Sequence, residues 1–190
     1  MLRSTLIVLL LVLSASASAQ VFNYNFVSAG YGTVDFDNFN ADGDGPVLAA
    51  SFAVSDTYHV FGAYRTEDLN LSRDATAWNV GIGYNTSISN TIDLVAMLSY
   101  EVIELDAPGL GGGVDDNGIG LGFGARVAAG ENIEWNAGVT YIDLGDGGDE
   151  TAFGVGILYN FTNAFSVGFS GSWGEDTTSY TVSGRYYFGR

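Results

Sequence analysis

The chain has 190 residues, 22 acids against six arginines and no lysine, 27 glycines, and no cysteine. That balance excludes a disulfide framework and disfavours binding to nucleic acid or anionic surfaces, both of which need basic patches. With 14% aromatic residues and so much glycine, a single strand-rich domain is the natural expectation.

In chain order, Arg3 precedes an apolar run from Leu6 to Leu13, followed by alternating serine and alanine from Ser14 to Ala19. These are the three parts of a secretory signal peptide, with cleavage expected after Ala19 to leave Gln20 first. The apolar core is far shorter than the ~20 residues of a spanning helix. Cleavage would leave five arginines against all 22 acids, and residues 20–190 would form one domain.

Beyond the leader, apolar residues recur with period two. Trp78, Val80, Ile82 and Tyr84 alternate with Asn79, Gly81, Gly83 and Asn85. Ile119, Leu121, Phe123, Ala125 and Val127 alternate with glycines from Gly118 to Gly124 and then Arg126. Trp135, Ala137, Val139 and Tyr141 alternate with Glu134, Asn136, Gly138 and Thr140. Weaker segments in the same phase are Phe22 to Thr33, Val47 to Val54, Tyr58 to Glu67, Ile92 to Ile103, Ala152 to Phe161, Ala164 to Trp173 and Ser179 to Phe188. The total is ten strands, or eight if one weak hairpin is lost.

A soluble sandwich also alternates, but its large residues would face one another across a core. Here the face opposite the large residues is glycine, serine and asparagine, which suits the lumen of an up-and-down antiparallel transmembrane β-barrel. Tyr58, Tyr64, Trp78, Tyr84, Trp135, Tyr141, Trp173, Tyr180 and Phe188 fall near segment ends on the large face, where membrane interfaces favour amphipathic rings. Connections alternate short (Ser55 to Thr57, Ala129 to Asn132, Thr162 with Asn163) and long (Val34 to Pro46, Glu67 to Thr76, Glu104 to Asn117), as periplasmic turns and external loops do. That topology puts most of the acids in external loops, as a carboxylate rim that attracts cations and repels anions.

One loop, Asn40-Ala-Asp42-Gly-Asp44-Gly45, has the opening ligand spacing of a calcium loop, though Ser51 stands where the closing glutamate belongs. Two readings stand: a solvated hairpin loop, or weak calcium or magnesium binding through Asn40, Asp42 and Asp44. No other cofactor is expected.

The strand phase points His59, Arg65, Asp93, Glu101, Arg126, Glu134 and Arg185 into the lumen, sparing lipid every strand charge. Arg126 and Arg185 lie at the height of Asp93 and Glu134, and Arg65 lies near Glu67 and Glu101. Paired charges in a barrel this narrow form a structural plug more readily than a conduction path. His59 has no nucleophile or orienting acid arranged around it, so no enzyme is expected.

Asn23-Tyr-Asn25, Gly30-Tyr31, Ala41-Asp-Gly-Asp-Gly45, His59-Val-Phe-Gly62, Trp78-Asn-Val-Gly81 and Thr91-Ile-Asp-Leu-Val-Ala96 carry a resemblance to small Gram-negative outer-membrane barrels of the OmpA and OmpX kind. More narrowly, the chain is similar to a xanthomonad group of such proteins associated with biofilm, motility and virulence. The match covers the first half of the mature chain. The resemblance implies an outer-membrane location, outer-membrane lipid and lipopolysaccharide as surroundings, and a monomer. The ending Arg185-Tyr-Tyr-Phe188 resembles the C-terminal signal read by the barrel-assembly machinery, here extended by Gly189 and Arg190. No catalytic residues come with it. The function expected is structural or surface-interacting, with a narrow channel for small solutes or cations as the alternative.

Overall fold

The computed structural model describes residues 22–36, 41–70, 73–106 and 114–189. The leader, Asp37 and Asn40 lie outside them. Ten antiparallel strands close into one barrel in which each strand pairs with its chain neighbours and the first pairs with the last. They are β1 (Phe26–Phe36), β2 (Ala41–Ala53), β3 (Tyr58–Leu69), β4 (Arg73–Ser89), β5 (Ile92–Asp106), β6 (Val114–Ala129), β7 (Ile133–Asp143), β8 (Asp149–Asn160), β9 (Phe165–Trp173) and β10 (Thr177–Tyr187). The end with the short turns and the two ends of the chain is called the lower end, and the opposite end the upper.

The period-two reading gives the strand count and the facing of the side chains. Leu98 on β5 lies between Ile82 and Leu121, and all three point outward and are exposed. Phe123, Phe153, Phe165 and Val182 belong to the same exposed band. A soluble fold would have to bury such a surface, whereas hydrocarbon accepts it. On the inner face, glycine admits close approach. A Cβ on Gly83 would lie 2.1 Å from His59 Nε2, so the imidazole lies flat against β4 only because that position has no side chain.

Strand ends differ from the sequence reading. β2 begins at Ala41, so Asp42 and Asp44 are strand residues facing outward and not ligands converging from a loop. Turn-forming glycine, aspartate and proline signal a loop locally, but the ladder overrides them: Asp42 lies opposite Asp35, and Asp44 opposite Thr33. Pro46 cannot donate to a ladder, and the β2–β3 pairing passes from Asp44↔Asp68 to Val47↔Arg65 without pairing residues 45 and 46. Gly45 is required there, since its Cβ would lie 1.9 Å from the Thr66 carbonyl oxygen. Glu67, Asp68, Asp74, Glu104, Asp115 and Asp143 likewise stand on strands that run on past the apolar band. The acids of the upper end are therefore mostly carried by strands and less by loops. Inside that extension, Val34, Leu69 and Ala75 form a small buried cluster with Phe36 and Leu105.

The first strand also starts later than the alternation indicates. Residues 22–25 leave the ladder and turn into the lumen.

Because lipid-face charges near mid-bilayer cost ~2–4 kcal/mol, Leu121→Arg should destabilise the folded barrel by about that amount. Urea unfolding in phospholipid vesicles, followed by the heat-sensitive shift of the folded band on a gel, measures it.

Candidate functional site

The segment Phe22–Asn25 and the charges it meets cross the lower part of the lumen. The Phe22 and Tyr24 rings are buried, and the Arg126 guanidinium lies over both, 4.8 Å and 4.6 Å from their centroids. Arg126 Nη1 donates to the Asn23 carbonyl at 3.3 Å. The Tyr24 ring also stacks on His59, with centroids 4.7 Å apart. Two asparagines fasten the segment's ends: Asn23 Nδ2 donates to the Phe188 carbonyl at 3.2 Å, and Asn25 Oδ1 accepts from Ala53 N at 2.9 Å.

The register puts Arg126 directly opposite Asp93, yet its charge goes to the diagonal neighbour. Nε lies 2.7 Å from Glu134 Oε1 and Nη2 lies 3.0 Å from Oε2, a bidentate pair with both side chains buried. Asp93 is wholly inaccessible, accepting instead from the Tyr24 hydroxyl at 3.1 Å and from Ser87 Oγ at 2.6 Å. A carboxylate this deep requires such donors. At the upper end Arg65 pairs with Glu67. Glu101 does not join that pair and accepts from Ser99 Oγ. Among the described residues Arg185 meets no carboxylate; its Nη1 donates to the Tyr187 hydroxyl at 3.4 Å and its guanidinium lies 4.0 Å from the Phe26 ring centroid. Of the lumenal residues read from sequence, the structure thus joins Arg65 to Glu67 and Arg126 to Glu134, and leaves Asp93, Glu101 and Arg185 outside both pairs.

His59 is a packing residue. Asn85 Nδ2 donates to the Asp56 carbonyl at 3.1 Å, which orients Asn85 Oδ1 toward His59 Nδ1 at 3.2 Å, so Nδ1 carries the proton. The neighbours of His59 among the described residues include Asn85, Tyr24 and Phe61. Asp42 accepts from Asn70 Nδ2 and Asp44 from the Tyr31 hydroxyl, and the described residues bring no three metal-ligating side chains together.

Sequence reasoning missed Phe22, Tyr24, Asn23 and Asn85. Alternation assigned the first three to a strand, and the signal against that was the pair of asparagines flanking Tyr24, which bond side chain to backbone in place of a ladder.

Two cavities lie on either side of this filling. The upper, of about 540 Å³, reaches Ser172 and Ser179 near the upper ends of β9 and β10; the lower, of about 250 Å³, is bounded by Phe22, Asn23 and Tyr187. Arg126 and Glu134 line both, so the wall between them is a single layer of side chains.

The expected interface aromatics lie on the outer surface in two belts. Tyr64, Trp78, Tyr141, Trp173 and Tyr180 are toward the upper end, and Tyr58, Tyr84, Trp135 and Phe188 toward the lower. Neighbours within a belt touch: Trp173 and Tyr180 meet edge to face at 6.0 Å, and Tyr58 and Tyr84 lie 5.4 Å apart.

Breaking one partner of a buried ion pair typically costs about 3–5 kcal/mol. Arg126→Leu should therefore unfold at markedly lower urea, and Arg126→Leu combined with Glu134→Leu should recover part of the loss.

Among solved structures, the chain is similar to the translocator domain of the autotransporter NalP from Neisseria meningitidis, with 10% identity over 86% of this chain and 88% of that one, and a TM-score of 0.53. It is also similar to the outer membrane protein OprG from Pseudomonas aeruginosa, with 12% identity over 91% and 100% of the two chains and a TM-score of 0.50. Against the CymD monoaromatic hydrocarbon channel it has 15% identity and a TM-score of 0.44, and 84% of this chain spans 56% of that one. No curated protein matches the sequence. Residues 5–161 match the family described as outer membrane protein beta-barrel domain, which is most of the chain. With its closed antiparallel barrel and apolar outer band, this chain is a member of that outer-membrane β-barrel family.

Proposed function

We propose that this chain is a non-enzymatic outer-membrane protein, sealed toward the periplasm by its own N-terminal segment and acting at the cell surface through its acid-bearing upper end. The observation that carries the sealed reading is the layer of Tyr24, Arg126 and Glu134 across the lumen, in which no buried side-chain polar atom lacks a partner. In the proposed orientation the short turns are periplasmic, as in bacterial barrels generally. The two aromatic belts then sit at the lipid interfaces, with lipopolysaccharide around the upper one. The leader ending at Ala19 would direct export, the terminal Arg185-Tyr-Tyr-Phe188 strand would be read during barrel assembly, and the closed sheet needs no second copy. The sequence likeness to xanthomonad biofilm and virulence proteins supports the surface role. At that surface Asp44, Asp68, Asp74 and Asp106 lie directly opposite one another across four adjacent strands. Such a row favours cationic partners and repels anionic ones.

A second reading, a narrow solute or cation channel, is favoured by the two cavities, which only one layer separates. Recordings in planar bilayers decide between the two. The sealed reading predicts no conductance steps from the unaltered protein and reproducible steps from Tyr24→Ala, which removes the ring spanning the gap; steps from the unaltered protein would favour the channel.

A further inference from the structure

The upper cavity contains two charges that have no ion partner among the described residues. Arg65 and Arg126 each take a glutamate, and Asp93 takes two hydroxyl donors. Arg185 and Glu101, both lining the upper cavity, have no ion partner among the described residues. Arg185 Nη1 donates to the Tyr187 hydroxyl at 3.4 Å, but its Nε is buried without an acceptor. Glu101 is 9% exposed and accepts from Ser99 Oγ, folded down over Gly120, where a Cβ would come within 2.7 Å of its Oε1. Ser51 Oγ, 2% exposed and lacking any partner, also lines the cavity, and it lies on β2 opposite Phe26, the ring that carries Arg185. A buried charge or hydroxyl with nothing to bond costs stability, so these groups mark where a ligand's polar atoms belong.

Their placement defines the ligand. Arg185, Ser28, Ala49, Ala63, Asn79 and Glu101 follow one another across six strands on a single ladder row. Because the strands tilt, five steps along this row carry it a little over a quarter of the way round the barrel. At ~4.8 Å per strand and a tilt of ~40°, the row also climbs, so Glu101 lies about 15 Å nearer the upper end than Arg185. Between them the row carries small side chains until Asn79. The side chains of Arg185 and Glu101 shorten the span to about 10 Å, close to three residues of extended chain at ~3.4 Å each. A simple carboxylate would enter against the field of the acidic upper end, and a simple amine would leave Arg185 without a counter-ion. A net-neutral ligand with both groups meets neither obstacle.

The geometry points to the upper cavity as a binding site for an elongated zwitterion of short-peptide length, its carboxylate on Arg185 and Ser51 at the floor and its ammonium on Glu101 above. This goes beyond the surface role and holds whether or not the lumen conducts.

The test is isothermal titration calorimetry of the full-length barrel folded in detergent, with trialanine, N-acetyl-trialanine and trialanine amide as probes. Trialanine should bind saturably, and blocking either end should weaken it at least tenfold. Glu101→Gln should abolish the discrimination against the acetylated peptide alone, and Arg185→Gln the discrimination against the amide alone. Absence of saturable trialanine binding, equal affinity for all three peptides, or variants that discriminate like the unaltered protein would overturn the assignment. If a variant loses its heat-sensitive gel shift, the comparison of the three peptides on the unaltered protein decides.

Discussion

A sheet in hydrocarbon can leave no backbone amide without a partner, and that requirement is met here where β1 pairs with β10 from Phe26↔Tyr187 to Phe36↔Thr177. Closure removes the edge and fixes the facing of every strand. Outward positions meet lipid and take large apolar residues; inward ones share a space hardly wider than two side chains and take glycine, serine and alanine. The cavity, the flat-lying His59 and the recess under Glu101 all follow from this crowding, since each needs a neighbouring position without a Cβ.

Within that space the charges sort by what can reach them. Arg126 meets a carboxylate in bidentate geometry and two aromatic faces, so its desolvation is offset on every side. The hydroxyl of Tyr24 then serves Asp93, and the N-terminal segment becomes a structural member of the barrel although it adds no strand. Arg185 has an aromatic face in place of an acid. The layer of Tyr24, Arg126 and Glu134 is thus internally satisfied, while Arg185 Nε and Ser51 Oγ beside the upper cavity are not, and this contrast separates a sealing layer from a space able to hold something.

Much of this was legible in the sequence, because period two survives everywhere that lipid enforces it. The ten strands, the inward facing of Arg65, Asp93, Glu101, Arg126, Glu134 and Arg185, and the outward rings follow from alternation alone. Above the lipid, enforcement stops, and the local preference of Asp-Gly-Asp-Gly-Pro for a loop competes with the ladder; pairing with β1 wins, so the loop reading of Asp42 and Asp44 fails there. The choice of Glu134 over Asp93 by Arg126 was not legible, since both lie at one height and the outcome depends on Tyr24, a residue that alternation assigns to a strand. Glu67 is the mixed case: the sequence places it beside Arg65, as the structure does, but ends the strand there, whereas β3 runs on to Leu69.

The central claim is that β1 and β10 close the barrel in this register. The protein has no cysteine of its own, so disulfide formation between introduced pairs is a clean report, and Ala29 lies directly opposite Gly184 on the outer face. Cysteines at Ala29 and Gly184 should cross-link efficiently in the folded protein, whereas cysteines at Ala29 and Val182, displaced by two residues, should cross-link weakly. Equal cross-linking of the two pairs, or preference for the displaced one, would contradict the account.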